Sequence, residues 1–176
     1  SRKGSLLWVL DKTKTAMGAR LLRKWVEQPL IDSDEINRRL FGVKELKDEI
    51  FTREEIKEVL SSMYDFERIM SKIVYQTANC RDLVALKNSL ENLPLLKQIL
   101  RKCKSEYISQ VYKELDTLEN ITDLIEKSIN DDPPFTVREG GLIKYGYNND
   151  LDVLLKAKSE GAKWIVELET EEKEKT

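Results

Sequence analysis

Apolar side chains recur every three or four residues through most of this chain, the spacing that places them on one face of an α-helix. Capping residues indicate where the helices begin. Thr13 or Thr15 precedes the first long helix, which Pro29 ends, and Asp32 with Glu35 forms the next N-terminal capping pair. Further helix starts are predicted at Thr52 with Glu55, Asp65, Asn79 and Pro94. The pattern therefore predicts an all-α fold.

Two features of this pattern predict the core. Leu83, Leu86, Leu90 and Leu93 follow one another at spacings of three, four and three residues, which is typical of a helix packed against neighbouring helices. Trp25 shares a helical face with the leucines just before it. We therefore expect its large ring to be a core residue that fills a gap between helices.

The stretch DDPPFTVREGGLIKYGYN, residues 131–148, interrupts the helical pattern. Pro133 and Pro134 each disfavour the α conformation in the residue before them, so the preceding helix must end here. We expect both prolines to shape a junction between the helices on either side.

The glycines of this stretch are expected to shape the same junction. Gly140 and Gly141 can supply positive φ angles, and β-favouring residues flank them, which predicts a short β-ribbon near 135–145 that turns at the glycines. Gly146 is assigned to the junction with them. A phosphate cradle is not indicated, because GGLIK lacks both the GK[ST] ending and a preceding buried strand.

A long helix is predicted from Asn149, and no stop signal follows it, so it looks cut off at the chain end. Its last turns, from about Glu169, offer little apolar surface, and we expect them to fray and to exchange their amide hydrogens quickly. The predicted organisation is a helical core over 1–130, a Pro/Gly-rich junction over 131–148 and a helical arm over 149–176.

Composition supports helices and excludes much chemistry. With 40% hydrophobic and 35% charged residues and only seven glycines, the chain resembles helices with wide solvated faces. Histidine is absent, which removes Ser-His-Asp and Cys-His nucleophiles and imidazole metal ligands. Cys80 and Cys103 lie far from any CxxC spacing and are typical of small apolar residues in a reduced protein. The longest apolar run, Leu6–Leu10, is too short to span a membrane.

Charge is distributed unevenly along the chain. The net charge is −2, yet residues 1–26 carry seven basic and one acidic side chain, a local difference of +6. Such an end could meet DNA phosphates, could dock an acidic partner, or could be an ordinary solvated helix face. Two functions stay open from the residues alone: a helical scaffold that binds another protein through its acidic arm, and a weak DNA-backbone-binding module. The candidate contact residues are Lys12, Lys14, Arg20, Arg23 and Lys24.

Several runs together resemble the core, or lever, region of the MutS family of bacterial DNA mismatch repair proteins. They are LLWVLDKTKTAMGARLLRKWVEQPL, EINRRLFGVKEL, FERIMSKI, RDLVALKNSLENLP and DDPPFTVREGGLIKYGYNNDLD. The similarity covers nearly the whole chain in order, and DPP with REGG and GYN is its most specific part. Phe41 and Gly42 stand where the family usually has Asp and Ala, and glycine in a helix costs about 1 kcal/mol relative to alanine.

The resemblance implies part of an ATP-driven, homodimeric sensor of mismatched duplex DNA, located in the bacterial cytoplasm with the nucleoid. In such proteins the lever joins the ATPase domain to a DNA clamp, and a MutL-type protein is a further partner. ATP and Mg²⁺ belong to the parent protein. This chain has neither a GxxxxGK[ST] loop nor a Phe-x-Glu wedge. The resemblance therefore implies a mechanical connector without catalytic residues, a cofactor or a metal of its own.

Overall fold

The computed structural model describes residues 3–175, without the side chains of 162, 166–172, 174 and 175. Within that range the chain forms ten α-helices and no β-strand, so the predicted helical fold is confirmed. The helices are α1 (Leu6–Leu10), α2 (Ala16–Glu27), α3 (Ser33–Asp48), α4 (Ile50–Ser61), α5 (Phe66–Val74), α6 (Cys80–Leu90), α7 (Leu93–Leu100), α8 (Glu106–Glu114), α9 (Glu119–Ser128) and α10 (Asn149–Lys175). Of the last turns of α10, the side chains of 169–172 lie outside the described residues.

Local capping explains most helix starts. The Asp32 carboxylate accepts hydrogen bonds from the backbone N–H groups of Asp34 and Glu35, at 2.8 and 3.0 Å, and so satisfies two donors of the first turn of α3. Asn79 and Asp82 form a reciprocal capping box at the start of α6. The predicted start at Thr52 is wrong, because α4 already begins at Ile50, one residue after α3 ends.

The core lies among α4 to α9. Leu86, Leu90 and Leu93 are buried in it, and Leu83 is partly buried against it. In the packing, α6 lies against α5 and α9, while α7 lies against α4 and α8. The other buried apolar residues of this cluster are Val59, Ile69, Leu96, Ile99, Leu100, Ile108, Ile125 and Ile129.

Trp25 lies outside this core, so its placement there is a correction to the sequence prediction. The side chain is only partly buried, and the guanidinium of Arg39 lies over its ring, 4.0 Å from the centroid. Helix α2 thus presents this ring to a charged side chain of α3. Periodicity groups the apolar residues of α2 on one face, but no residue of α2 is buried, and Leu21 on that face is 48% exposed.

Gly42 is buried where α3 packs on α8, and the site has room for a methyl group. A Cβ placed there would lie 3.6 Å from Ile108 Cγ1 and 3.7 Å from Tyr107 Cβ, which are ordinary contacts. Gly42→Ala should therefore stabilise the fold by about 1 kcal/mol, the difference in helix propensity. Urea unfolding followed by circular dichroism measures this change.

Gly161→Ala is the control for that measurement, because Gly161 is a helical residue of α10 with nothing within 4 Å of its added Cβ. The control should leave the unfolding midpoint of the helical body unchanged. A lower midpoint for Gly42→Ala would show that α3 and α8 approach more closely than this packing allows.

The predicted β-ribbon near 135–145 does not form. Val137–Glu139 make a 3₁₀ turn with a capping box, in which the Glu139 carboxylate accepts hydrogen bonds from the Thr136 backbone N–H at 3.1 Å and from its hydroxyl at 2.7 Å. This capping box favours a helical turn over an extended strand. Ile143 pairs instead with Ile129, through an isolated antiparallel bridge.

Candidate junction site between the helical body and the long helix

The chain leaves α9 and enters α10 through a loop whose two ends are tied together. Asn130 N–H donates to the Leu142 carbonyl at 2.9 Å, and Lys144 N–H donates to the Ser128 carbonyl at 2.9 Å. The Asn130 side-chain amide donates to the carbonyls of Gly141 and, at 3.3 Å, Ile143. Residues 131–141 therefore form a loop that is closed by these bonds, and at Lys144 the chain again lies beside the end of α9.

The prolines lie where this loop is attached to α6. Pro133 is fully buried, and Pro134 is partly buried. Arg81 of α6 donates from Nε to the Pro133 carbonyl at 2.8 Å, and its guanidinium lies 3.7 Å from the centroid of the Phe135 ring. Because Pro133 has no N–H to satisfy, burying it leaves one carbonyl to pair, and Arg81 pairs it.

The glycines turn the chain. Gly140 and Gly141 have φ angles of +75° and +71° and are exposed. Gly146 has a φ of +88°, and Tyr147 N–H donates to the Lys144 carbonyl at 3.3 Å across the turn. A turn of this kind requires positive φ at its third residue, which glycine adopts without strain.

The turn at Gly146 is joined to the start of α10. Gly146 N–H donates to Oδ2 of Asp152 at 2.9 Å, and Leu151 N–H donates to Oδ1 of Asn148 at 3.0 Å. The Asn148 side chain thus satisfies a donor of the first helical turn. The start of α10 is consequently held against the turn at Gly146.

An ion cluster lies at the base of the junction. Lys87 of α6 donates to Glu126 of α9, and Lys144 contacts Glu126 and Asp131, each at 3.0 Å. Hydrogen bonds from Lys87 and Lys144 hold the pKa of Glu126 below its ordinary value. Hydrogen bonds to Asp131 and Glu126 raise the pKa of Lys144. Both shifts favour the charged forms of Glu126 and Lys144.

Two of the five basic candidates near the N terminus have acidic partners. Arg20 is held by Asp65, at 2.9 and 2.6 Å, and by Glu67, at 2.6 Å, which raise its pKa and tie α2 to α5. Arg23 lies 3.7 Å from Glu27. The remaining candidates, Lys12, Lys14 and Lys24, are exposed.

Sequence reasoning found the prolines and glycines of the junction but missed the side chains that attach it. Arg81, Lys87, Glu126 and Lys144 resemble ordinary solvated charges in the sequence, and no local pattern distinguishes them. Asn130 gives a weak signal, because a short polar side chain that follows a helix can bond nearby backbone groups.

Among residues whose side chains are described, no group of three His, Cys, Asp or Glu is placed to hold a metal ion. Both cysteines are partly buried free thiols. No helix in the described range is long and apolar enough to cross a membrane. The junction joins α10 to the helical body through backbone hydrogen bonds and ion pairs.

Known proteins are similar in sequence to this chain over almost its whole length. The family model described as MutS domain III matches residues 1–175. Proteins named DNA mismatch repair protein MutS are similar over almost the whole chain: 53% identity over 99% of it in Lachnoclostridium phytofermentans, and 52% over 100% in Ruminiclostridium cellulolyticum. The corresponding protein of Acetivibrio thermocellus is 49% identical over 100% of the chain. The chain spans only 19% to 20% of the length of these relatives. The match over residues 1–175 and the identity of about half of the residues show that this chain belongs to the MutS domain III family.

Proposed function

We propose that this chain is the lever of a DNA mismatch repair protein, a stiff connector that couples an ATPase domain to a DNA clamp. The supporting observation is the junction, which holds a 27-residue helix in a defined direction on a packed helical body. A helix of that length extends about 40 Å at 1.5 Å per residue. Of the described α10 side chains, those of 153–161, 163–165 and 173 are exposed, so the helix projects away from the body.

The three parts of the chain have different roles in this proposal. The helical core over 1–130 is the platform, the junction over 131–148 transmits its orientation, and the arm over 149–176 leads toward the clamp. Movement of the platform at one end then becomes movement of the clamp at the other, which is coupling between two distinct sites. The side chains that hold α10 on the platform belong to the junction rather than to the arm.

The chemistry of the whole protein is assigned to other parts of it. The parent is proposed to be a homodimeric, DNA-dependent ATPase that binds mismatched duplex DNA and a MutL-type protein in the bacterial cytoplasm, at the nucleoid. ATP and Mg²⁺ do not fit the residues described in this chain, whose sequence has no GxxxxGK[ST] loop. No step of ATP hydrolysis is therefore assigned to this chain, which we propose is not itself an enzyme.

Breaking α10 in the intact protein tests the coupling. Lys158 is exposed in the middle of the described part of α10, so Lys158→Pro interrupts the helix without disturbing the core. Proline inside a helix costs about 3 kcal/mol and kinks it. We expect ATP turnover without DNA to be unchanged, and the response of turnover to mismatched DNA to be lost.

Lys158→Ala is the matched control, because it removes the same charge and keeps the helix, and it should respond to mismatched DNA like the parent protein. A Lys158→Pro protein that also responds normally would show that a continuous α10 carries no signal, and the lever proposal would be wrong.

A further inference from the structure

The ion cluster at the junction joins three separate parts of the chain. Lys87 comes from α6, Glu126 from α9, and Asp131 and Lys144 from the two ends of the loop. Lys87 is the most enclosed, with 12% of its side chain exposed, while Lys144 is 24% exposed. Besides its hydrogen bond to Glu126, Lys87 lies 3.8 Å from Asp131 and 3.9 Å from Glu91. Each lysine thus faces at least two carboxylates.

The backbone alone leaves the direction of α10 incompletely fixed. The hydrogen bonds from Asn130 and Lys144 lie along one short antiparallel pairing of Ile129 with Ile143. Such a pairing resists sliding of one segment along the other. The two paired segments can still rotate relative to each other about the axis that joins them. A contact away from that line is needed to resist the twist.

The ion cluster supplies that contact. Lys144 belongs to the segment that enters α10, and its ammonium reaches Glu126 on α9 and Asp131 at the opposite end of the loop. Lys87 holds the same Glu126 carboxylate from α6, which fixes the position of the acceptor. Two lysines that share one carboxylate therefore connect α10 to two helices of the body at once.

The geometry points to a charge clasp: we propose that Lys87, Glu126, Asp131 and Lys144 position α10 on the helical body, and that this position depends on ionic strength. Half of the Glu126 side chain and 72% of the Asp131 side chain are exposed, so dissolved ions reach the cluster. The Debye length falls from about 10 Å at 0.1 M salt to about 3 Å at 1 M, which weakens exposed ion pairs. The consequence for signal transmission rests on the lever function proposed above, whereas the clasp itself does not.

A distance between two spin labels tests the clasp in this chain. One label is placed on α8 through Lys113→Cys and one on α10 through Ser159→Cys, both exposed positions. Cys80→Ala and Cys103→Ala remove the native thiols. Pulsed electron paramagnetic resonance then gives the distribution of distances between body and arm. We expect a single narrow distribution at 0.1 M KCl that becomes at least twofold broader at about 1 M, as screening weakens the cluster.

Substitutions separate positioning from simple stability. Lys144→Met should give the broad distribution already at low salt and should abolish its salt dependence, and Glu126→Gln should do the same. Lys144→Arg should keep the narrow distribution of the parent chain, because arginine retains the positive charge and a side chain of similar length. Lys156→Met is the control: it removes the Lys156–Glu160 pair at 3.9 Å, which lies within α10 and cannot orient the helix. Circular dichroism confirms that each variant keeps its helical body.

The outcomes distinguish the clasp from the lever. Folded Lys144→Met and Glu126→Gln variants with the narrow distribution of the parent chain would overturn the clasp, and the lever proposal would still stand on the Lys158→Pro result. Broad distributions in both variants, combined with a normal mismatch response of the Lys158→Pro protein, would support the clasp and reject the lever.

Discussion

Leu90→Ala should lower the free energy of unfolding by about 3 to 5 kcal/mol. Leu90 is 2% exposed, the lowest exposure of any residue in the apolar core cluster. Helix α6, which carries it, packs against both α5 and α9, so collapse around a cavity would require several helices to move. The loss is large compared with the total stability of a typical domain, about 5 to 15 kcal/mol.

Urea unfolding of the chain, followed by circular dichroism, measures this loss. Leu95→Ala is the matched control, because Leu95 lies on the neighbouring helix α7 with 49% of its surface exposed. We expect the control to cost about 1 kcal/mol or less, since most of the truncated side chain is already in water. Equal losses for the two variants would contradict the placement of α6 at the centre of the core.

Helix starts could be predicted from the sequence because capping is local. Asp32 and Asn79 bond backbone groups no more than three residues away, so the residues that decide each start are adjacent in the sequence. The start of α4 was not predicted, because no local capping signal marks it. Glu49 makes no side-chain capping bond there, and α4 begins directly after α3 without a local signal.

The junction was only partly predictable. Proline narrows and glycine widens the range of allowed backbone dihedral angles wherever they occur. Pro133 and Gly146 therefore identify the interruption without knowledge of the fold. The ion cluster depends on long-range packing: Lys87 and Glu126 are 39 residues apart and meet because α6 packs on α9. The ribbon failed as a prediction because Thr136 and Glu139 cap a helical turn that strand propensity does not describe.

Ser89 is the one polar residue of α6 that is completely enclosed, with 0% exposure, among the residues described. Its hydroxyl donates to the Ala85 carbonyl at 3.0 Å and accepts a hydrogen bond from the Tyr64 N–H at 2.9 Å. Tyr64 lies in the connection between α4 and α5, so this hydroxyl ties that connection to α6. A buried serine of this kind acts as a specific packing contact rather than as a solvated side chain.

Ser89→Val should therefore lower the free energy of unfolding by about 2 to 6 kcal/mol, because two losses combine. The Tyr64 N–H loses its acceptor, at a cost of about 1 to 3 kcal/mol. The larger branched side chain also enters a completely enclosed site, and overpacking costs about 1 to 3 kcal/mol. Ser89→Ala isolates the first loss and should cost only about 1 to 3 kcal/mol.

Ser71→Ala is the control for both variants of Ser89, measured by urea unfolding in the same way. The Ser71 hydroxyl donates to the Glu67 carbonyl at 2.8 Å, the same bond to the preceding helical turn, but the residue is exposed. Its removal should change stability by less than about 0.5 kcal/mol, as expected for a surface position. If Ser89→Ala were equally neutral, Tyr64 would have to find another acceptor, and the connection between α4 and α5 would not depend on α6 for its position. An intermediate loss for Ser89→Ala would instead show that the hydroxyl supplies a needed hydrogen bond to Tyr64. A larger loss for Ser89→Val would show that the small size of the side chain is also needed where the connection between α4 and α5 packs on α6.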